Sequence, residues 1–257
     1  EVLETTQIRT ALGPVLLLRA LRPVQWELTG PALGSSFLWL RQRFLELGCQ
    51  LILFDGAFDR RSSATPFLSD ATLLVSGAAL DPDMQVVIQE TAHRVKLFSL
   101  EENQQLPRAA KELLDDHGVG FWRNDDTVER LPLRSALGAH DQVIAGLKPS
   151  DRGLLIGSAL TPRLLRALEP HGVQSIVVRD GTSALLDPGD LKRFLVRGGR
   201  LSALRKIHLP FLVANPFSPY GWRYDPCEFL DRLAEAVSPI PVVDVVLGES
   251  RGLEVAC

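Results

Sequence analysis

Short apolar runs separated by amphipathic stretches recur along the chain, the pattern of strands joined by crossover helices. In the first half, VLLLRAL from Val15, VQWELTG from Val24 and QLILFDG from Gln50 read as strands. Between the last two, Ser35 to Leu47 places Leu38 with Leu45, and Phe37 with Leu40, Phe44 and Leu47, at helical spacing. Ser35 or Ser36 is suited to cap the start of that helix, and Gly48 to end it where a left-handed residue is needed. ATLLVSG then reads as a strand, Asp81 to His93 as a helix and VKLFSL as a strand.

From Glu101 to Pro132 the pattern weakens, with polar EENQQLP and RNDDTVERLP around a short helical stretch, Ala109 to Leu114. A domain boundary is expected at its end, giving domains 1–132 and 133–257. Alternation resumes with LLIGSAL, TPRLLRAL, SIVVRDG, DPGDLKRFLVRGG, PFLVANPF, DPCEFLDRLAEAV and PVVDVVLG. Three of these helices open on Thr161-Pro162, Asp187-Pro188 and Asp225-Pro226, a capping side chain followed by a residue with no N–H to leave unpaired. The expected fold class is α/β, with predominantly parallel sheets and crossover helices in two α/β domains.

Composition narrows the function classes. Hydrophobic residues make up 46% and charged residues 23%, so the chain has enough apolar surface to fold. No apolar run approaches the roughly 20 residues that span a bilayer, so no membrane segment is expected. A net charge of -3 and a pI near 6.0 argue against a nucleic-acid binder that neutralises phosphates. Cys49, Cys227 and Cys257 are far apart and lack metal-site spacing, and they read as reduced packing thiols of a cytoplasmic protein. Without an initiator Met or a signal peptide ahead of VLETT, the chain reads as a fragment of something longer.

The richest segment for chemistry is LILFDGAFDRRS. An apolar strand ending in Asp55 would put a carboxylate where open α/β sheets bind ligands, and a strand-end Asp holds the magnesium water shell in nucleoside triphosphatases. The plainer reading is an Asp that bonds to the following turn. Arg60 and Arg61 could chelate phosphate or lie in a solvated loop. GPALGSS, from Gly30, fills the strand-to-helix position of a phosphate loop but carries no Lys. Asp115, His117 and Gly120 fit the DxHxxG pattern that presents a His to cobalamin cobalt, yet KELLDDHGVGFW reads as a helix end followed by a strand, which makes His117 a capping residue. NPFSPYGWRYDP, at 215–226, packs four aromatic residues and Arg223 into a loop that either binds something or completes a core.

Taken together, EVLETTQIRTALGPVLLLRAL, ELTGPALGSS, LILFDGAFDRRSSATPFLSDATLLVSGAAL, GSALTPRLLRAL, LKRFLVRGGRL and VANPFSPYGWRYDP resemble the non-MutS-like reactivase subunit associated with lysine 5,6-aminomutase. Leu51 to Leu80 carries the most specific part of the resemblance. It implies an accessory subunit that supports nucleotide-driven exchange of damaged cobalamin in an adenosylcobalamin-dependent aminomutase of the lysine 5,6- or ornithine type. The implied partners are the aminomutase subunits and a MutS-like ATPase, with no nucleic acid and no membrane. Family members begin with a GKTT-type phosphate loop ahead of the segment matching Glu1, so 1–132 would correspond to the rear part of such a domain. ATP or another nucleoside triphosphate with Mg would then bind only in the longer context, cobalamin would be touched only indirectly, and the isolated chain would hydrolyse nothing. On this resemblance Asp55 is the magnesium-side carboxylate, Gly56 follows it, Arg60, Arg61 and Ser62 match an Arg-Lys-Ser turn, and Glu4, Thr5 and Thr6 match an ETT element approaching the same site beside Gly30. The competing expectation is a doubly wound small-molecule enzyme or ligand-binding protein using Asp55 and Asp180 at strand ends, and a third is a corrinoid binder through His117.

Overall fold

The computed structural model of the chain describes residues 1–25, 27, 30–31, 34–55 and 64–253. It is a mixed α/β protein that divides into two compact units, Glu1–Ser63 and Ala64–Cys257.

Among its described residues the first unit forms an antiparallel hairpin and a helix. Strand β1 (Val2–Thr10) turns at Ala11-Leu12 into β2 (Gly13–Leu18). The turn is held by Thr10, whose hydroxyl donates to the Gly13 carbonyl at 3.0 Å and accepts from the Leu12 N–H at 3.2 Å. Helix α1 (Gly34–Glu46) starts at Gly34, so Ser35 and Ser36 lie inside its first turn instead of capping it. It ends as the sequence predicts, on Gly48 at φ 85°, with the Gly48 N–H bonded to Leu45 and the Cys49 N–H to Phe44. Leu40 is buried and Phe37, Phe44 and Leu47 are half-buried, whereas Leu38 and Leu45 face out. The described residues of VQWELTG lie in no strand.

Residues 51–55 also differ from expectation, because LILFD forms no strand. Its side chains still alternate: Ile52 and Phe54 are half-buried while Leu51, Leu53 and Asp55 are exposed. The Phe54 ring meets Phe37 of α1 edge-on, with centroids 6.0 Å apart. Apolar character is spent on one helix contact, not on pairing within a sheet.

The second unit runs β3 (Leu74–Gly77), α2 (Met84–Phe98), α3 (Arg108–Asp115), β4 (Val119–Arg123), β5 (Val128–Arg130), α4 (His140–Gly146), β6 (Asp151–Ile156), α5 (Pro162–Leu168), β7 (Ser175–Val178), α6 (Pro188–Val196), β8 (Arg200–Ala203), β9 (Leu212–Asn215), α7 (Pro226–Val237), β10 (Val242–Asp244) and β11 (Glu249–Arg251). Two sheets result, ordered β5-β4-β6-β7-β8 and β11-β10-β9-β3. Each has a parallel centre, β6-β7-β8 and β10-β9-β3, finished by antiparallel strands. The expected predominance of parallel pairing therefore gives way to mixed sheets: the short connections after β4 and β10 close antiparallel, and β4 also runs antiparallel to β6.

The expected division at residue 132 does not coincide with this arrangement. β4 and β5 pair into the sheet of β6, and β3 pairs with β9 from Leu74↔Leu212 to Gly77↔Asn215. VKLFSL is likewise not a strand: Val95, Leu97 and Phe98 complete α2, because Val87, Ile88, Thr91, Val95 and Phe98 recur at helical spacing and are all buried. The chain becomes extended only afterwards, at Glu102, which bridges to Ala203 beside β8.

In the five-stranded sheet Leu154, Ile156, Ile176 and Val178 face one core with α5 and α6, while Leu155 and Val177 face another with α3. Cover on both faces is why these strands read as continuous apolar runs. In the other sheet Leu212, Ala214 and Val242 pack against Val87 and Ile88 of α2 and Phe229, Leu230 and Leu233 of α7. Thr161 and Asp225 cap α5 and α7 by accepting from the N–H of Leu164 and Glu228; Asp187 precedes Pro188 without a capping bond and lies 3.5 Å from Arg166. Cys49 and Cys227 are exposed and not packing thiols, one beyond the end of α1 and the other on the outer side of α7; Cys257 lies outside the described residues.

Helices α5 and α6 are tied together by Asp190, which is 2% exposed and accepts from Arg166 Nε and Nη2 at 2.9 and 2.8 Å and from Arg193. The Arg166 bonds hold its carboxyl below the ordinary aspartate range, against the opposing effect of burial. Asp190→Ala is expected to cost about 1–3 kcal/mol at neutral pH, read from urea unfolding midpoints. Because the folded pKa is depressed, this contribution is complete above the unfolded value of about 3.9 and fades as pH falls through the folded one, so the gap between the two proteins should close only in strong acid.

Candidate functional site

In the first unit a cavity of about 550 Å³ lies between β1 and the start of α1. Glu4, Thr5, Thr6 and Arg9 line it from β1, Pro31 from the approach to the helix, Ser36 from its first turn and Trp39 from its second. Hairpin alternation decides the roles within ETT. Thr6 turns inward, 5% exposed, and its hydroxyl accepts from the Ile8 N–H, while Thr5 stays exposed. Glu4 receives Arg43 Nε at 2.7 Å, and this bond, followed by that to Glu46, raises the Arg43 pKa. With Glu4 so engaged, Thr5, Ser36 and Arg9 are the hydroxyl and cationic groups the cavity offers a ligand. Gly30 precedes Pro31, and a Cβ there would stand 3.8 Å from the Phe37 ring.

The expected site residues are thus brought together only in part. Glu4, Thr5 and Thr6 share a cavity with the residue next to Gly30, but Asp55 is absent from its lining. Asp55 ends no strand and is exposed, so the role at a sheet's carboxyl edge has no counterpart. Gly56, Arg60, Arg61 and Ser62 lie outside the described residues. Among the described residues no group of three or more His, Cys, Asp or Glu side chains is arranged to hold a metal. Asp55, the expected magnesium-side carboxylate, lacks the strand that would aim it.

In the second unit the true strand ends are occupied by packing. Asp180, beyond β7 and 1% exposed, accepts from the backbone and hydroxyl of Thr182 with one oxygen and from the Thr65 hydroxyl at 2.7 Å with the other. That engagement removes it as a free catalytic carboxylate and corrects the two-carboxylate expectation. Beside it, the Arg179 guanidinium stacks over Phe67 at 3.6 Å from the centroid, with Arg205 at 4.1 Å from the same ring. Burial pushes the Arg179 pKa down, with Asp180 and Asp115 opposing. Sequence reasoning missed this stack because nothing local in Phe67 points to its partners.

His117 is a helix-ending residue, as its context predicts. At φ 57° it occupies the left-handed position after α3, with its N–H bonded to Leu114 and that of Gly118 to Leu113. The backbone just beyond β6 passes close by: a Cβ on Gly157 would meet the Leu114 carbonyl at 2.6 Å and the His117 Cα at 2.8 Å. DxHxxG therefore spans a helix cap and a strand, unlike the loop after a strand that presents a His to cobalt.

The aromatic loop after β9 is anchored from beneath. Trp222 Nε1 donates to the Ala78 carbonyl at 2.7 Å, and the Tyr224 hydroxyl donates to the Asp81 carbonyl. Tyr220 stacks on Trp222 at 5.4 Å and remains 71% exposed, so half of the loop completes the core and half faces solvent. Asp244, at the end of β10, is fully buried; one oxygen accepts from the N–H groups of Val246 and Leu247, and the other has no partner. The sequence held a signal for it, an Asp closing the apolar run PVVD.

No protein-family model, no curated protein and no solved structure matches this chain. No helix among the described residues is long and apolar enough to cross a membrane.

Trp222→Phe keeps an aromatic side chain, smaller by the pyrrole ring, and removes the N–H that pairs the Ala78 carbonyl. We expect a loss of about 1–3 kcal/mol in urea unfolding and faster amide exchange in 216–224.

Proposed function

We propose that this chain is a cytoplasmic accessory subunit of a reactivating complex for an adenosylcobalamin-dependent aminomutase, of the lysine 5,6- or ornithine type. It acts on the mutase with a MutS-like ATPase partner, and nucleotide hydrolysis drives release of damaged cobalamin so that intact cofactor can enter. The chain supplies contacts, not turnover. Beyond the segments that resemble the reactivase subunit, one observation carries this reading: Glu4, Thr5 and Thr6, singled out by that resemblance, line a cavity with Pro31 and Ser36, which are remote in sequence. Hydroxyls, an arginine and a half-exposed Trp39 suit that cavity to a polar loop of a partner or to a phosphate, and its Glu4–Arg43 pair fixes β1 against α1.

No step is assigned to Asp55, whose expected magnesium role rested on a strand that residues 51–55 do not form. The two-carboxylate enzyme reading is not carried forward either, because Asp180 spends both oxygens on Thr65 and Thr182.

The test is reconstitution. An aminomutase inactivated by turnover, mixed with the ATPase partner, Mg-ATP and fresh adenosylcobalamin, should regain activity at least tenfold faster when this chain is present. Thr5→Trp, which fills the cavity from an exposed position, should remove most of that gain while leaving the melting temperature unchanged. The isolated chain should hydrolyse ATP far below 1 s⁻¹, the low end of ordinary enzyme rates of roughly 1–10³ s⁻¹. Recovery indifferent to this chain would overturn the proposal.

A further inference from the structure

The second unit contains a larger recess that none of the preceding roles uses. Where the end of α2, the start of α6, residues 206–209 and the end of α7 converge, they enclose an open cleft of about 1030 Å³. It lies along the border between the cores of the two sheets, where ligand sites are common, and its size is near the upper end of the roughly 300–1,000 Å³ usual for them.

Its chemistry is divided between floor and rim. Val95, Leu191, Ile207 and Val237 line it and are 7%, 2%, 2% and 3% exposed, so the floor is apolar and already packed. His93 belongs to that floor, its Nε2 within 2.7 Å of the Leu186 carbonyl, which joins α2 to the approach of α6. The rim carries Lys96, Lys192 and Lys206, all exposed, beside His208. Glu101 is the one carboxylate among the lining residues, and it accepts from Lys206 at 3.0 Å. Lys96 and Lys192 have no carboxylate partner among the described residues.

A cationic rim is not what the overall composition would produce, because the chain carries a formal charge of -3. Two exposed ammonium groups on one rim without carboxylate partners favour an anion placed between them. Above the packed floor, Leu209, Pro239 and Ile240 keep apolar surface that an apolar body would cover. Lysine heads are compact point charges on flexible stems, suited to a terminal phosphate, carboxylate or sulfonate.

We propose that this cleft is a binding site for a small amphiphilic anion, its apolar body against Leu209, Pro239 and Ile240 and its charged end between Lys96 and Lys192. The site is lined by residues of the second unit and does not depend on the aminomutase reading.

The probe is 8-anilinonaphthalene-1-sulfonate, an aromatic body with one anionic group, titrated into the full chain by fluorescence. Uncharged N-phenyl-1-naphthylamine serves as its neutral counterpart. We expect saturable binding of the sulfonate at one site per chain, weakened about tenfold in the double variant Lys96→Glu, Lys192→Glu, as loss and reversal of two exposed charge contacts implies. The neutral compound should bind both proteins within twofold. Both lysines are exposed, so unchanged circular dichroism and melting are expected to accompany the loss. Three results would each overturn the proposal: no saturable sulfonate binding up to about 1 mM, an affinity indifferent to the charge reversal in the folded variant, or an equal loss for the neutral compound.

Discussion

The parallel pairing of β3 with β9 is the constraint on which the second unit depends. Leu74 to Gly77 must find Leu212 to Asn215 across more than half the chain, and a loop of that size is costly to close. What repays it is local and specific. The Ser76 and Thr91 hydroxyls meet at 2.6 Å in a buried contact that ties β3 to α2, and Thr91 in turn donates to the Val87 carbonyl. Gly77 lies so close to the Asn215 backbone that a side chain there would collide with it. Once β3 is seated, the carbonyls of Ala78 and Asp81 stand where Trp222 and Tyr224 reach them, so the aromatic loop is ordered by the same pairing.

Carboxylates at strand ends illustrate how position and availability part company. Asp180 and Asp244 both sit where α/β sheets collect ligands, and both are drawn inward to satisfy the backbone of the turn that follows. Each carboxylate accepts from N–H groups of that turn, and these bonds offset part of the cost of taking the charge out of water. The groups left for binding are therefore away from the strand ends: hydroxyls and Arg9 between hairpin and helix in the first unit, and lysines around the cleft of α2, α6 and α7 in the second.

Much of the element structure was legible. The Thr161-Pro162 and Asp225-Pro226 starts, the Gly48 stop, the strands at 74–77, 151–156, 175–178 and 212–215, and the helix-capping role of His117 all follow from short-range chemistry that the tertiary fold does not disturb. The errors share a cause. LILFD and VKLFSL are apolar runs of strand length; one lies unpaired with Phe54 against Phe37, the other finishes a helix. Apolar runs this short state that a segment is buried on one side or more without stating by what.

The candidate site was legible to a similar depth. ETT was marked only by the family resemblance and the Gly30-Pro31 turn by its place ahead of a helix, whereas their meeting across a cavity needed the hairpin to fold onto α1. The sequence by itself determined the α/β class, the caps at Thr161 and Asp225, the stop at Gly48 and most element positions, because each depends on neighbours a few residues apart. Which strands pair, that β4 and β5 join the later sheet, that Asp55 stands outside any strand, and that Lys96 and Lys192 share one rim were decided only in three dimensions. Those outcomes depend on contacts between residues far apart in the chain, and no local pattern of hydrophobic and polar positions encodes which distant segment will supply the partner.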